Sequence, residues 1–219
     1  MSRARVIGHR GTAGFPENTI AGFEEALRQG VDGIEMDIRQ TADGRLVVVH
    51  DSVVGERTVQ STSYEDLIAI EQGKNIPLFE EALEKFGKRT LLDIELKTGG
   101  YEGQVAELLK QHTEPEKTLI SSFEAKSLQA IHDLLPGVQL GYIYNRTQDE
   151  EARHHAPIDV VIPQFRLASR ELIEGVHDEG LEVWAWTVND DAEISRLLRL
   201  GVDGLITDYP SRVIKALGS

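Results

Sequence analysis

Gly33-Ile34-Glu35-Met36-Asp37-Ile38 is the stretch on which the fold turns. Side chains alternate along a strand, so Ile34, Met36 and Ile38 point one way while Glu35 and Asp37 point the other. In a barrel one of those faces packs under helices, and the other looks into the interior or the mouth. Two adjacent acids turned inward repel one another and lose hydration unless a cation neutralises them. A hard divalent ion, Mg²⁺ or Ca²⁺, is the economical explanation. An exposed edge strand with solvated acids is the competing reading.

The pattern repeats one strand further on. In Leu91-Leu92-Asp93-Ile94-Glu95-Leu96-Lys97 the side chains of Asp93, Glu95 and Lys97 share a face, which supplies a third acid and a cation. An inward Glu95–Lys97 salt bridge without metal is the plainer alternative. Candidate strands fall at 4–9, 32–38, 90–96, 118–123, 139–144, 159–163, 182–188 and 204–208. Segments of helical period lie between them at 17–29, 63–72 with 77–87, 102–112, 124–135, 148–155, 169–179 and 190–200, and a last one near 210–217. Strands separated by helices pair in parallel, so eight such units predict a closed (β/α)₈ TIM barrel of the α/β class. No linker rich in Ser, Gly or Pro divides residues 1–219, and one domain is expected.

Leu46-Val47-Val48-Val49-His50 breaks the alternation, because only Thr41-Ala42-Asp43-Gly44-Arg45 separates it from the second strand. Asp43-Gly44 signals a two-residue type I′ hairpin turn. That turn pairs 42 with 45 and sets 37 opposite 50, bringing His50 beside Asp37 as an extra hairpin strand. The alternative makes 46–50 a barrel strand and removes one of the later ones.

His9 ends the first candidate strand as His50 ends the hairpin. A lone His after an apolar run is often a hydrogen-bonded core residue, but imidazole titrates near neutrality and a pair can serve as base and acid in one displacement. The guanidinium of Arg10 suits a forked contact to phosphate oxygens, and Lys97 adds a second positive charge. The remaining histidines, His112, His132, His154, His155 and His177, sit in helical or polar segments and are expected at the surface. In Val183-Trp184-Ala185-Trp186 the two tryptophans share a face; Trp186, nearer the mouth, is the candidate substrate contact, with Phe123 a poorer one. Glu17 and Asn18 open the first helix, where Asn18 serves as a cap or as an orienting group behind the site. Asp208, at the end of the last strand, is a turn former or a support for the site.

A net charge of −14 argues against holding nucleic acid by phosphate neutralisation. The absence of cysteine removes disulfides, thiolate nucleophiles and thiolate metal sites. No window approaches the ~18 apolar residues of a membrane span, and the first residues lack a long apolar signal core. A cytoplasmic protein without stable membrane anchoring is the expectation; a homodimer stays open.

The residues also resemble a known family, the glycerophosphodiester phosphodiesterases of the phospholipase-C-like barrel superfamily. The likeness runs through His9-Arg10-Gly11, Pro16-Glu17-Asn18-Thr19, Gly33-Ile34-Glu35-Met36-Asp37, Thr41-Ala42-Asp43-Gly44, His50-Asp51, Ile76-Pro77-Leu78-Phe79-Glu80, Ile94-Glu95-Leu96-Lys97, Ser122-Phe123, Trp184 to Asn189 and Gly201 to Pro210. It implies catalytic His9 and His50, a divalent cation on Glu35, Asp37 and Glu95, and phosphate contacts from Arg10 and Lys97. It further implies hydrolysis of a small glycerophosphodiester to sn-glycerol 3-phosphate and an alcohol, by way of a cyclic phosphate. The segment after His50-Asp51 is short and carries Glu56-Arg57-Thr58 where the family usually places its Arg and Thr earlier, so the pocket rim is the part the resemblance does not define. A lysophospholipase D-like activity, a sugar-phosphate isomerase or aldolase, and a non-catalytic binding module are the alternatives. Gly201-Val202-Asp203-Gly204 precedes its strand instead of following it, unlike a barrel phosphate loop. A binding module would be expected to lack one of the two histidines.

Overall fold

The computed structural model describes residues 3–218, leaving aside the side chains of Gln148 and Glu151. In chain order the strands are β1 (Arg5–Gly8), β2 (Gly33–Gln40), β3 (Leu46–Val48), β4 (Val53–Val54), β5 (Arg57–Thr58), β6 (Leu91–Leu96), β7 (Thr118–Ser122), β8 (Gln139–Tyr144), β9 (Val160–Pro163), β10 (Glu182–Ala185) and β11 (Gly204–Thr207). The α-helices are α1 (Ile20–Gln29), α2 (Tyr64–Ile68), α3 (Phe79–Phe86), α4 (Glu102–His112), α5 (Ala125–Leu134), α6 (Arg170–Asp178), α7 (Asp191–Leu200) and α8 (Pro210–Leu217). Parallel pairing runs β1-β2-β6-β7-β8-β9-β10-β11, and β11 returns to β1 through Arg5↔Gly204 to Gly8↔Thr207. The ring is the expected eight-stranded TIM barrel.

Alternation along the strands separates two apolar layers. Outward-facing Ile34, Met36, Ile94 and Ile120 join Phe23, Phe79, Phe86 and Val105 of the helices in the main core. Inward-facing Ile7, Leu119, Ile143, Ile162, Trp184 and Ile206 fill the barrel. Trp184 is fully buried there, and a Cβ on Gly204 would lie 2.6 Å from its ring, so only glycine at 204 admits the indole. At the end of the barrel away from the mouth, three aspartates stitch neighbouring strands. Asp32 accepts from Val6 N (2.8 Å), Asp159 from Leu140 N (2.9 Å) and Asp203 from Val183 N (2.8 Å). Gly201-Val202-Asp203-Gly204 therefore builds a strand start, not a phosphate loop.

Between β8 and β9 the expected helix over 148–155 is instead a 3₁₀ run, Thr147–His155. Its sequence has almost no apolar stripe to bury, so packing cannot favour an α-helix there. α1 starts at Ile20 and not at 17, because Asn18 takes a left-handed φ of 55° and Thr19 caps the helix by accepting from Gly22 N (3.2 Å). Beyond Ala185 the regular ladder of β10 ends, although Trp186 N still donates to Pro163 O (3.2 Å) and Val188 N to Ile206 O (2.9 Å).

β3 lies outside the ring, antiparallel to β2, as the hairpin reading requires. Its register corrects the expectation by one residue. Ile38 pairs with Val48 and Gln40 with Leu46, and Val49 N donates to Asp37 O (2.9 Å), so Asp37 stands opposite Val49 and not His50. The loop has three residues, closed by Thr41 N to Arg45 O (2.9 Å), with Gly44 alone in the left-handed region at φ 79°. Thr41 explains the longer loop: its hydroxyl donates to Asp43 (2.6 Å) and accepts from Arg45 N (3.1 Å), which favours a turn ending in one left-handed glycine over a type I′ pair. No helix among the described residues is long and apolar enough to cross a membrane.

Candidate active site

β2 and β6 run side by side with Glu35 beside Asp93 and Asp37 beside Glu95. Period-two alternation therefore turns all four carboxyls into the barrel near its mouth. All are buried. Carboxylate oxygens of Glu35, Asp37 and Glu95 lie within 4.8 Å of one another. Lys97, one position past β6, places Nζ 2.5 Å from Glu95 Oε1 and 3.3 Å from Asp37 Oδ1. Arg10, at φ 50° after β1, donates its backbone N–H to Glu35 (2.8 Å), sets Nε 3.1 Å from Asp37 Oδ2 and donates Nη1 to Glu17 (2.9 Å). Asn18 donates Nδ2 to Asp37 Oδ2 (2.8 Å) and accepts from Asp37 N (3.2 Å). Because Thr19 takes the capping role, Asn18 is free to orient the acid.

Four acids face two cations in a volume sheltered from water. Burial, reinforced by Asp37, Asp93 and Glu95, drives Glu35 well above the usual carboxyl range. Burial likewise pushes Asp93 up to about 7, against a 2.6 Å hydrogen bond from Ser121, and Glu95 up to about 7 despite Lys97. Asp37 is also buried, yet Lys97, Arg10 and Asn18 together outweigh that and hold it below its ordinary value. Two oxygens, Asp37 Oδ1 and Glu95 Oε1, are buried without a hydrogen-bond donor. Lys97 Nζ lies within ion-pair distance of both and is the one cation they share.

The histidines come from separate elements. His9, the residue after β1, donates Nδ1 to Asp208 Oδ1 (2.6 Å), the residue after β11. Asp208 in turn accepts from Asn189 Nδ2 (2.5 Å), while Asn189 Oδ1 accepts from Asp208 N (2.9 Å) and Thr207 Oγ1 (3.1 Å). Burial disfavours the Asp208 anion, but His9, Asn189 and Arg10 overcome this and keep its pKa below the usual value. His50 follows β3, with its Nδ1 2.7 Å from Asp51 Oδ1 and its carbonyl accepting from Arg39 Nε (2.7 Å). Burial lowers its pKa, Asp51 and Asp37 counteract, and Lys97 and Arg10 add to the lowering. Phe123 and Trp186 meet edge to face, centroids 5.6 Å apart, after β7 and near the end of β10; Trp186 Nε1 donates to Ile162 O (3.1 Å). Trp184 lies deeper, in the apolar filling.

All the singled-out groups thus come from strand ends or the loops that follow them. His132, His154, His155 and His177 are exposed, and His112 is half-buried on a helix. Asn189 and Ser121 carry no local signal; each acquires its role from a neighbour on an adjacent strand.

A parallel barrel whose mouth gathers buried acids, two half-buried cations and a carboxylate-held imidazole defines an α/β-barrel enzyme. The model of the "Glycerophosphoryl diester phosphodiesterase family" matches residues 9–212, and the chain belongs to that family. A glycerophosphodiester phosphodiesterase of Caldanaerobacter subterraneus is 33% identical, over 95% of this chain and 96% of that one. One from Bacillus altitudinis is also 33% identical, over 96% and 97%. Among solved structures, an Oleispira antarctica phosphodiesterase in complex with its product sn-glycerol-3-phosphate superposes with a TM-score of 0.88 at 28% identity, covering 99% of this chain and 98% of that one.

Proposed function

We propose that residues 1–219 form one domain that hydrolyses glycerophosphodiesters to sn-glycerol 3-phosphate and an alcohol such as choline, ethanolamine or glycerol, with His9 and His50 as acid and base. The observation that carries this reading is the convergence of Glu35, Asp37, Glu95, Arg10 and Lys97 at the mouth of a barrel of this family, with His9 the residue before Arg10.

The acids fit a divalent cation. Ligands at ~2.0–2.6 Å from one hard ion stand no more than about 5 Å apart, and the trio meets that limit at 4.8 Å. Two of its buried oxygens face no partner but Lys97, and burial with mutual repulsion raises Glu35, Asp93 and Glu95, a cost that a cation among them would relieve. Glu35, Asp37 and Glu95 would hold the ion, Mg²⁺ or Ca²⁺, which when bound would polarise the phosphodiester and withdraw charge from its oxygens. Arg10 and Lys97 stabilise charge developing on the phosphoryl oxygens. His9, aligned by Asp208, takes the proton of the neighbouring glycerol hydroxyl as that oxygen bonds to phosphorus. The bond to the departing alcohol breaks as His50 protonates its oxygen, leaving a cyclic phosphate. Water then opens the ring with the histidine roles exchanged. Trp186 and Phe123 offer an apolar wall to the glycerol carbons, while Asn18 and Glu17 keep Asp37 and Arg10 in place.

Turnover of glycerophosphocholine, followed as released sn-glycerol 3-phosphate, tests the proposal with and without EDTA and in His9→Ala and His50→Ala. Activity that survives chelation and either substitution within about tenfold, ~1.4 kcal/mol of barrier, overturns it.

A further inference from the structure

β2 runs past the ring, and its last residues carry a cation beyond the acid cluster. Its pairing with β6 ends at Ile38↔Leu96, and from there the sheet continues only into β3, where Arg39 stands opposite Val47. Arg39 shares the parity of Glu35 and Asp37 but sits at the rim. The side chain is half-buried, and its Nε donates to His50 O (2.7 Å). Nη1 and Nη2 meet neither a carboxylate nor any other acceptor among the described residues. Arg10 and Lys97, by contrast, are paired with acids.

Arg39 lines a cavity of about 280 Å³ between the β4–β5 ribbon, the turn that follows it and the loop after β6. Liquid water takes ~30 Å³ per molecule, so the space admits a tetrahedral oxyanion with several waters. Ser52 and Thr58 bring hydroxyls to it and Gln60 an amide. In a chain of net charge −14, no carboxylate is among its lining residues. The acids next to it in the chain are engaged elsewhere. Asp51 is held at Nδ1 of His50 (2.7 Å), and Glu102 accepts from Gly100 N (2.9 Å) and Ser127 Oγ (2.8 Å).

A guanidinium that faces only neutral hydrogen-bonding groups favours an anion. Its free edge offers two N–H groups in the fork that fits phosphate oxygens, and the hydroxyl and amide donors around it suit the remaining oxygens of a tetrahedral ion better than a planar carboxylate. We propose that this cavity is a second oxyanion site, separate from the acid cluster, which binds a phosphate group, free or on a small monoester, through Arg39. The proposal does not depend on the phosphodiesterase reading. Because the same guanidinium holds the His50 carbonyl, the bound ion lies one side chain away from the peptide that carries His50.

The test titrates the full chain with inorganic phosphate or sn-glycerol 3-phosphate at constant ionic strength, followed by nitrogen–proton NMR correlation spectra. The N–H groups of Gly99 and Gly100, Arg39 Nε–H and the N–H of Asp51, on the peptide that Arg39 holds, report this cavity; the N–H of Gly11, beside Arg10, reports the acid cluster. Saturable shifts of the first group with either ligand support the site. Tighter binding of the monoester identifies an organic phosphate as the ligand, and tighter binding of the inorganic ion identifies free phosphate. Arg39→Gln should weaken the affinity by about tenfold or more. Gln60→Glu, which leaves the contact to His50 in place, should weaken it by about threefold while the Gly11 response stays within about twofold. Acetate should bind about tenfold more weakly than phosphate. Shifts that grow linearly with any added salt, equal binding of acetate, or an affinity that either variant leaves unchanged overturns the site and leaves the phosphodiesterase reading standing.

Discussion

Replacing Asp208 with Asn removes one charge and keeps the side-chain shape, so it isolates what the carboxylate does for His9. The contact is a 2.6 Å hydrogen bond from Nδ1, and Asn189 fixes the other carboxylate oxygen from 2.5 Å. When His9 takes a proton the bond becomes an ion pair, and two unit charges ~4 Å apart at an effective dielectric near 20 attract by about 4 kcal/mol. Asp208 is about one-third exposed, so solvent screening reduces that share. A loss of about 2–3 kcal/mol remains, in line with charge-assisted hydrogen bonds generally, and corresponds to a fall in kcat of about 30- to 150-fold. Asn189→Ala leaves the carboxylate but frees it to turn, and a smaller loss of about five- to tenfold is expected. Initial rates of sn-glycerol 3-phosphate release provide the readout, with thermal melts confirming that both variants fold. An Asp208→Asn protein that keeps kcat within about twofold of wild type would refute a proton-carrying role for His9.

Asn18→Gly preserves the left-handed backbone and deletes both hydrogen bonds to Asp37; divalent-ion affinity, read as the Mg²⁺- or Ca²⁺-dependent rise in Tm, should weaken about tenfold or more. Gly204→Ala sets a methyl 2.6 Å from the buried Trp184 ring and should cost about 1–3 kcal/mol in urea unfolding, whereas a change in midpoint too small to measure would mean that the indole can move aside. In protein stripped of divalent ions, Asp93 and Glu95 hold folded pKa values of about 7 against lower unfolded ones, so the unfolded chain binds fewer protons between roughly pH 4 and pH 7. This pair should therefore make the stripped protein lose stability as pH rises through that window; saturating divalent ion should remove the decline, and a metal-free stability that rises steadily from pH 5 to 7.5 counts against the buried acid cluster.

How much of this was legible in the sequence depends on the range over which each cause acts. Period-two alternation is a property of a few consecutive residues, so Glu35 and Asp37, or Asp93 and Glu95, show their common face in the chain itself. The parallel barrel follows from the same local signals repeated eight times. The hairpin register failed by one residue because Asp43-Gly44 suits two turns, and Thr41, through its hydroxyl bonds to Asp43 and Arg45, selects the longer one. Asp208 was readable as a turn former or a support for the site, but not as the partner of a particular residue. Its partner His9 lies 199 positions away, and the two meet because the ring closes β11 onto β1. The same holds for Ser121 with Asp93, joined across β6 and β7. The residues that contribute charge to the site are thus written in local pattern, whereas of those that hold them in place Asn18 and Asp208 were readable only as one of two alternatives, and Asn189 and Ser121 are visible only after the strand order is known. For that reason Asn189, which touches neither histidine and instead anchors Asp208, bears on the proposal as directly as any ligand-bearing acid.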